Sequence, residues 1–147
     1  MVWKFKPMMW LESAFAAAAV LIADQISKAL VMSRTTTSVR ERPLVSIQHV
    51  MNRRGIIASF GGRTTLLAIW AVSITAAALV LHCGILPAGT LGPIGIGAAI
   101  GGATGNLFDQ LRRGAIVDFI AIGWWPVFNV ADAAIVSGAG LALLSIR

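Results

Sequence analysis

GGATGNLFDQLRRGAIVDFIAIGWWPVFNVAD, residues 101–132, sets Asn106, Asp109, Asp118, Asn129 and Asp132 among segments apolar enough to enter a bilayer. Charged and amide side chains are costly in hydrocarbon, so a cluster of them at a membrane boundary is a functional site by default. The stretch makes two demands on the rest of the chain. There must be enough apolar sequence to build a membrane bundle, and further polar groups to partner these side chains.

The first demand is met. The 147 residues are 57% hydrophobic and 12% charged, with a mean hydropathy of +0.81, which excludes an ordinary soluble domain. Four windows, residues 10–32, 65–81, 91–107 and 126–146, come near the roughly 20 residues that cross about 30 Å of hydrocarbon. The expectation is an all-α membrane protein, a single domain over residues 1–147 with four transmembrane helices. Lys4 and Lys6 followed by an apolar run resemble a cleavable signal peptide, but the apolar character continues past Asp24 and Lys28 and no cleavage site intervenes. The run is therefore read as the first transmembrane helix. Cys83 is the single cysteine, and His49 and His82 have no companions at ligand spacing, so neither a disulfide nor a metal site is expected. The net charge of +6 sits largely in loops between spans, where anionic lipid headgroups are a more natural partner than nucleic acid.

Between the first two windows, residues 33–63 carry Arg34, Arg40, Arg42, Arg53, Arg54 and Arg63 against Glu41 alone. Residues 44–50 and 55–60 are β-prone, with 52–55 as a turn, which predicts a small hairpin on the membrane surface. The loop at 109–125 holds another β-prone run, residues 115–120, and ends in Trp124 and Trp125, which suit the aromatic belt where the fourth helix begins.

The polar residues pair by helical spacing. Gly97, Gly101 and Gly105 form a flat stripe for close packing of the third helix, and Asp109 continues the same spacing beside Asn106. Asp24 and Lys28 are four apart on the first helix and share a face, either as a structural ion pair or as a support for the site. With the fourth helix starting at residue 126, Asp132 lies about 9 Å along it at 1.5 Å per residue, and Asn129 shares its face. Asp118, in the preceding loop, has enough chain to fold back over Asp132. Two carboxylates held together in a poorly solvated place share one proton, the arrangement by which aspartic proteases activate water. Spacing alone leaves open the alternative of two independent structural aspartates.

The segments Asp24-Gln-Ile-Ser-Lys28, Gly101-Gly-Ala-Thr-Gly-Asn106-Leu-Phe-Asp109, Gly114-Ala-Ile-Val-Asp118-Phe and Phe128-Asn129-Val-Ala-Asp132 together resemble the motifs of bacterial lipoprotein signal peptidase, or signal peptidase II, in order across all four spans. The resemblance implies a four-helix aspartic endopeptidase of the inner, cytoplasmic membrane, with cytoplasmic termini and a small β cradle and active site near the periplasmic face. It implies that the enzyme acts on prolipoproteins, cutting before a diacylglyceryl-modified cysteine, and that it needs no metal or cofactor. By the same resemblance Asp118 and Asp132 are the catalytic pair, and Asn106 and Asn129 hold the substrate backbone or orient the pair. Asp24, Lys28 and Asp109 support the site, and Asn52 and Gly55 meet the substrate. Membrane phospholipids are expected partners, and the protein is expected to be a monomer.

The chain departs from the family pattern in places. The family's Asn-x-Gly is here Asn52-Arg53-Arg54-Gly55, which puts Arg53 at the asparagine position, and the arginine that follows the helix-three aspartate is here Gln110. The charge rule applied literally puts the arginine-rich loops in the cytoplasm. The family topology puts them outside, and is preferred because it rests on several motifs in series. Two other readings are carried: a catalytically inactive relative that binds lipopeptide or an inhibitor, motivated by the altered 52–60 segment, and a small proton-conducting protein, since buried acids also mark such paths.

Overall fold

The computed structural model describes residues 7–33, 45–52, 62–87 and 89–146, with the backbone alone for 45–52, 62 and 63. The chain runs α1 (Pro7–Ser33), β1 (Val45–Asn52), α2 (Gly62–His82), α3 (Leu91–Arg113), β2 (Ile116–Ile122) and α4 (Val130–Leu144). α1 and α2 are each long and apolar enough to cross a membrane, while α4 is a shorter apolar helix. α1 buries only Met9, Ser13, Asp24 and Lys28 inside the protein, and Phe15 and Val136 are 79% and 74% exposed. So large an apolar surface is incompatible with a monomer in water and suits a lipid solvent.

α3 is the hub, packing on α1, α4 and α2. The expected glycine stripe is what admits α1. A Cβ on Gly97 or Gly101 would overlap the Ser13 or Ala17 carbonyl, and one on Gly105 would stand 2.6 Å from Asp24 Oδ2. A second glycine face, not anticipated from the spacing, admits α4. A Cβ on Gly95 would stand 2.6 Å from the Gly138 carbonyl oxygen, and one on Gly102 would overlap the Ala131 carbonyl. Between apolar helices already solvated by lipid, close backbone approach of this kind replaces the hydrophobic effect as the driving force. α2 is tied to α3 by Trp70 Nε1, which donates to Thr104 Oγ1 at 3.0 Å.

Two helix limits differ from the apolar windows. α3 runs beyond residue 107 because its polar end continues to Gly114, whose φ of 68° and N–H bond to the Gln110 carbonyl make a left-handed C-cap. Asp109 and Arg113 thus sit on the helix, not in a loop. α4 starts at Val130, not 126, because Phe128 exchanges backbone bonds with Ile120 (3.0 and 2.8 Å) and holds the preceding chain extended. Asp132 is therefore in the first turn of α4, directly after Ala131, and not 9 Å along it.

β1 pairs antiparallel with β2, from Val45 opposite Ile122 to Asn52 opposite Ile116, with an irregularity between Ile47 and Val50. The proposed hairpin partner, residues 55–60, lies outside the described residues. Ala115, Val117, Asp118 and Phe119 are all buried, so both faces of β2 are covered over its first half.

Candidate active site

α1 delivers Asp24, Gln25 and Lys28, the last two turns of α3 deliver Asn106, Asp109 and Arg113, β2 delivers Asp118, and the start of α4 delivers Asn129 and Asp132. The reversal between β2 and α4 turns on Gly123, at φ 51°, with Trp125 N–H bonded to the Ile122 carbonyl at 2.9 Å. Phe128 then lies along Ile120. This brings Asn129 beside Val117 and Asp118.

An ion cluster lies deepest. Lys28 Nζ is 2.7 Å from Asp24 Oδ2 and 2.7 Å from Asp109 Oδ2, and donates to Asn106 Oδ1 at 3.2 Å. An ammonium has three N–H groups and no acceptor, so these three oxygens satisfy it completely. Arg113 Nη1 pairs with Asp109 Oδ1, and Gln25 Nε2 donates to Asp24 Oδ2 at 3.0 Å and to Asp109 Oδ1 at 3.3 Å. Two carboxylates face two cations, so the cluster carries no net charge, the condition under which buried ions are tolerable. Asp24 and Lys28 are thus an ion pair, as their spacing predicts, but one shared with Asp109 and joined to Asn106.

Above the cluster, two amides link the two remaining aspartates. Asn106 Nδ2 donates to Asp132 Oδ1 at 2.8 Å, and Asn129 Nδ2 donates to Asp118 Oδ1 at 2.8 Å and to Asn106 Oδ1 at 3.1 Å. Asn129 is the N-cap of α4 and Asp132 its third residue. They form a capping box in which Asp132 N–H donates to Asn129 Oδ1 at 2.8 Å and Asn129 N–H to Asp132 Oδ2 at 3.2 Å. Ala131 N–H donates to Asp24 Oδ1 at 3.0 Å. The helix N-terminus, rich in unpaired N–H groups and positive dipole, is thereby taken up by carboxylates of α1 and α4. No buried side-chain polar atom among the described residues lacks a partner. Asp118 is buried, whereas Asp132 is half-buried.

Of the residues singled out in the sequence, Asp24, Lys28, Asn106, Asp109, Asp118, Asn129 and Asp132 are brought into this one network. Asn52 ends β1 opposite Ile116, two pairs from the pairing of Val50 with Asp118, and Gly55 lies outside the described residues. Gln110, the residue in place of the family's arginine, reaches the Gly114 carbonyl at 3.4 Å. The guanidinium that Asp109 would otherwise lack comes from Arg113 one turn later. The i,i+4 spacing of Asp109 and Arg113 carries that signal once the helix is continued to its glycine cap. Gln25 gave no comparable sign, since a lone glutamine beside an aspartate has no distinctive spacing. Among the described residues no group of three or more His, Cys, Asp and Glu is arranged to hold a metal ion.

A hub helix with two glycine faces, an apolar exterior and one buried acid–amide network define an integral membrane protein with an enzyme-like site. The same fold occurs in two solved bacterial membrane enzymes, at TM-scores of 0.76 and 0.74 and 24% identity, each covering 91% of this chain and 91% and 86% of theirs. The family model for signal peptidase (SPase) II matches residues 16–147. The lipoprotein signal peptidase of Syntrophomonas wolfei is 40% identical over 129 residues, 85% of both chains. That of Pelotomaculum thermopropionicum is 38% identical over 127 residues, 84% of both chains. The chain belongs to the signal peptidase II family.

Proposed function

We propose that this protein is a membrane-embedded aspartic endopeptidase that removes signal peptides from prolipoproteins, cutting on the N-terminal side of the diacylglyceryl-modified cysteine. Family membership supports the substrate class. The observation that supports the chemistry is the amide-bridged pair of carboxylates, each receiving a side-chain N–H at 2.8 Å. Of the two, one is ionised and takes a proton from water as the oxygen attacks the scissile carbonyl carbon. The other is protonated, polarises the carbonyl oxygen, and returns a proton to the leaving nitrogen as the C–N bond breaks. The two amides hold the carboxylates at a fixed separation, so the geometry is prepared before substrate arrives.

In this reading all four helices span the inner membrane, the termini are cytoplasmic, and the β1–β2 sheet lies near the periplasmic face close to the site. α4, of 15 residues, is the shortest of the four helices. The sheet, with Asn52 and Gly55, meets the substrate, phospholipid headgroups meet the arginine-rich segment, and the enzyme acts as a monomer without a cofactor. The test is a gel-shift assay of a diacylglyceryl-modified prolipoprotein with purified protein. Cleavage that is lost in Asp118→Asn and in Asp132→Asn is expected. Tight binding of a lipopeptide without any cleavage would instead make the chain an inactive relative.

A further inference from the structure

An amide's oxygen and nitrogen ends are nearly the same shape, so which end faces which neighbour is decided by the neighbours' chemistry. Here that choice is fixed at both ends of the bridge. Lys28 Nζ can only donate, and it lies 3.2 Å from Asn106, so Asn106 must turn its oxygen to the ammonium and its Nδ2 to Asp132 Oδ1. The Asp132 backbone N–H can likewise only donate, so Asn129 must turn its oxygen to that N–H and its Nδ2 to Asp118 and Asn106. Lys28 in turn cannot move, because Asp24 and Asp109 hold it at 2.7 Å each and it is fully buried.

We infer that Lys28 is a positioning residue that sets the Asn106 end of the two-amide bridge, whose Asn129 end is set by the Asp132 N–H, so that the two amides serve to orient the carboxylates and not to hold substrate. The inference rests on the peptidase reading above for its consequence and on the hydrogen-bond pattern for its premise. Saturation of the amides is the second support. Asn106 Oδ1 already accepts from Lys28 and Asn129, and Asn129 Nδ2 already faces Asp118, Asn106 and the Val117 carbonyl at 3.2 Å. Both side chains are buried, Asn129 completely. Asn106 Oδ1 and Asn129 Nδ2 are thus spent inside the network, and one N–H of Asn106 Nδ2 is committed to Asp132.

The sequence contains asparagine only at 52, 106 and 129, so protein labelled with nitrogen-15 in asparagine gives few side-chain NH2 pairs, and Asn106→Asp identifies the one from Asn106. In the wild type one Asn106 proton is expected to be shifted downfield and slow to exchange. The double variant Asp24→Asn/Lys28→Met keeps the buried charge balanced while removing the donor. It is expected to lose that shift and protection, and to lower kcat on the order of 10²-fold, the scale of a misplaced acid–base group, with KM held within about twofold.

Should the double variant fail to fold, Asn106→Asp decides. It still offers Lys28 an acceptor but has no N–H for Asp132, and the same fall in kcat at constant KM is expected. A raised KM at preserved kcat would show that Asn106 holds substrate and would overturn the inference, as would an unchanged Asn106 signal with wild-type kcat in the double variant. The resonance readout needs no turnover. A wild type that cleaves nothing would therefore sink the peptidase reading while the direction of the bridge is still decided by the spectra.

Discussion

Replacing Lys28 with methionine is the most severe single change the structure points to, and its cost follows from the charge count in the buried cluster. With Lys28 present, Asp24 and Asp109 are balanced by Lys28 and Arg113. Without it, one carboxylate stays buried with no compensating cation, and three hydrogen bonds to the ammonium vanish. Breaking a buried pair from one side costs about 3–5 kcal/mol. At about 2–4 °C per kcal/mol for a chain of this size, that is a fall of roughly 10 °C in midpoint. The second variant, Asp24→Asn/Lys28→Met, removes one charge of each sign and leaves Asp109 with Arg113. The amide introduced in place of the Asp24 carboxylate keeps an oxygen that can accept from Ala131 N–H. This variant should recover at least half of the loss. Thermal unfolding of both proteins in detergent, followed by the fluorescence of the five tryptophans, makes the comparison. Equal midpoints for the single and double variants would refute the charge-balance reasoning, and a single variant within about 2 °C of the wild type would refute the burial cost itself.

Other expectations concern the seams and the substituted arginine. Gly101→Ala places a methyl group against the Ala17 carbonyl, a backbone atom that cannot step aside, and should destabilise the protein by about 1–3 kcal/mol. Gly140→Ala meets nothing within 4 Å and should be neutral or slightly stabilising in the same unfolding assay. Arg113→Gln removes the second cation from Asp109 and should lower the unfolding midpoint, whereas Gln110→Arg adds a guanidinium where one is already supplied and should change the midpoint by no more than about 2 °C.

The polar core was legible because the bilayer makes it so. Asp24, Lys28, Asn106, Asp109, Asp118, Asn129 and Asp132 stand out as residues that hydrocarbon would not tolerate alone, and the structure gathers them into one network. The glycine stripe of α3 toward α1 was legible for a similar reason, since strict four-residue spacing has one geometric meaning. The second stripe toward α4 was not, because Gly95 and Gly102 are seven apart and interrupted by Ala98 and Ala99, so only the partner Gly138 reveals them. Helix limits were misplaced where polarity and helicity part company. α3 continues through Asp109 and Arg113 to its glycine cap, and α4 waits for Asn129 because Phe128 is bound to Ile120. The pairing of β1 with β2 joins residues far apart in the chain, Asn52 with Ile116 at the nearest, and leaves no local trace.

The central claim is that Asp118 and Asp132 hydrolyse the signal peptide bond of a lipidated substrate, and one measurement addresses it directly. Purified wild type, Asp118→Asn and Asp132→Asn are incubated in detergent with a diacylglyceryl-modified prolipoprotein, and the new N-terminus is read by mass spectrometry. The expected result is a product beginning at the lipidated cysteine with the wild type and no product with either variant, although both variants remain folded. Normal cleavage by either variant, or a cut elsewhere in the substrate, would contradict it.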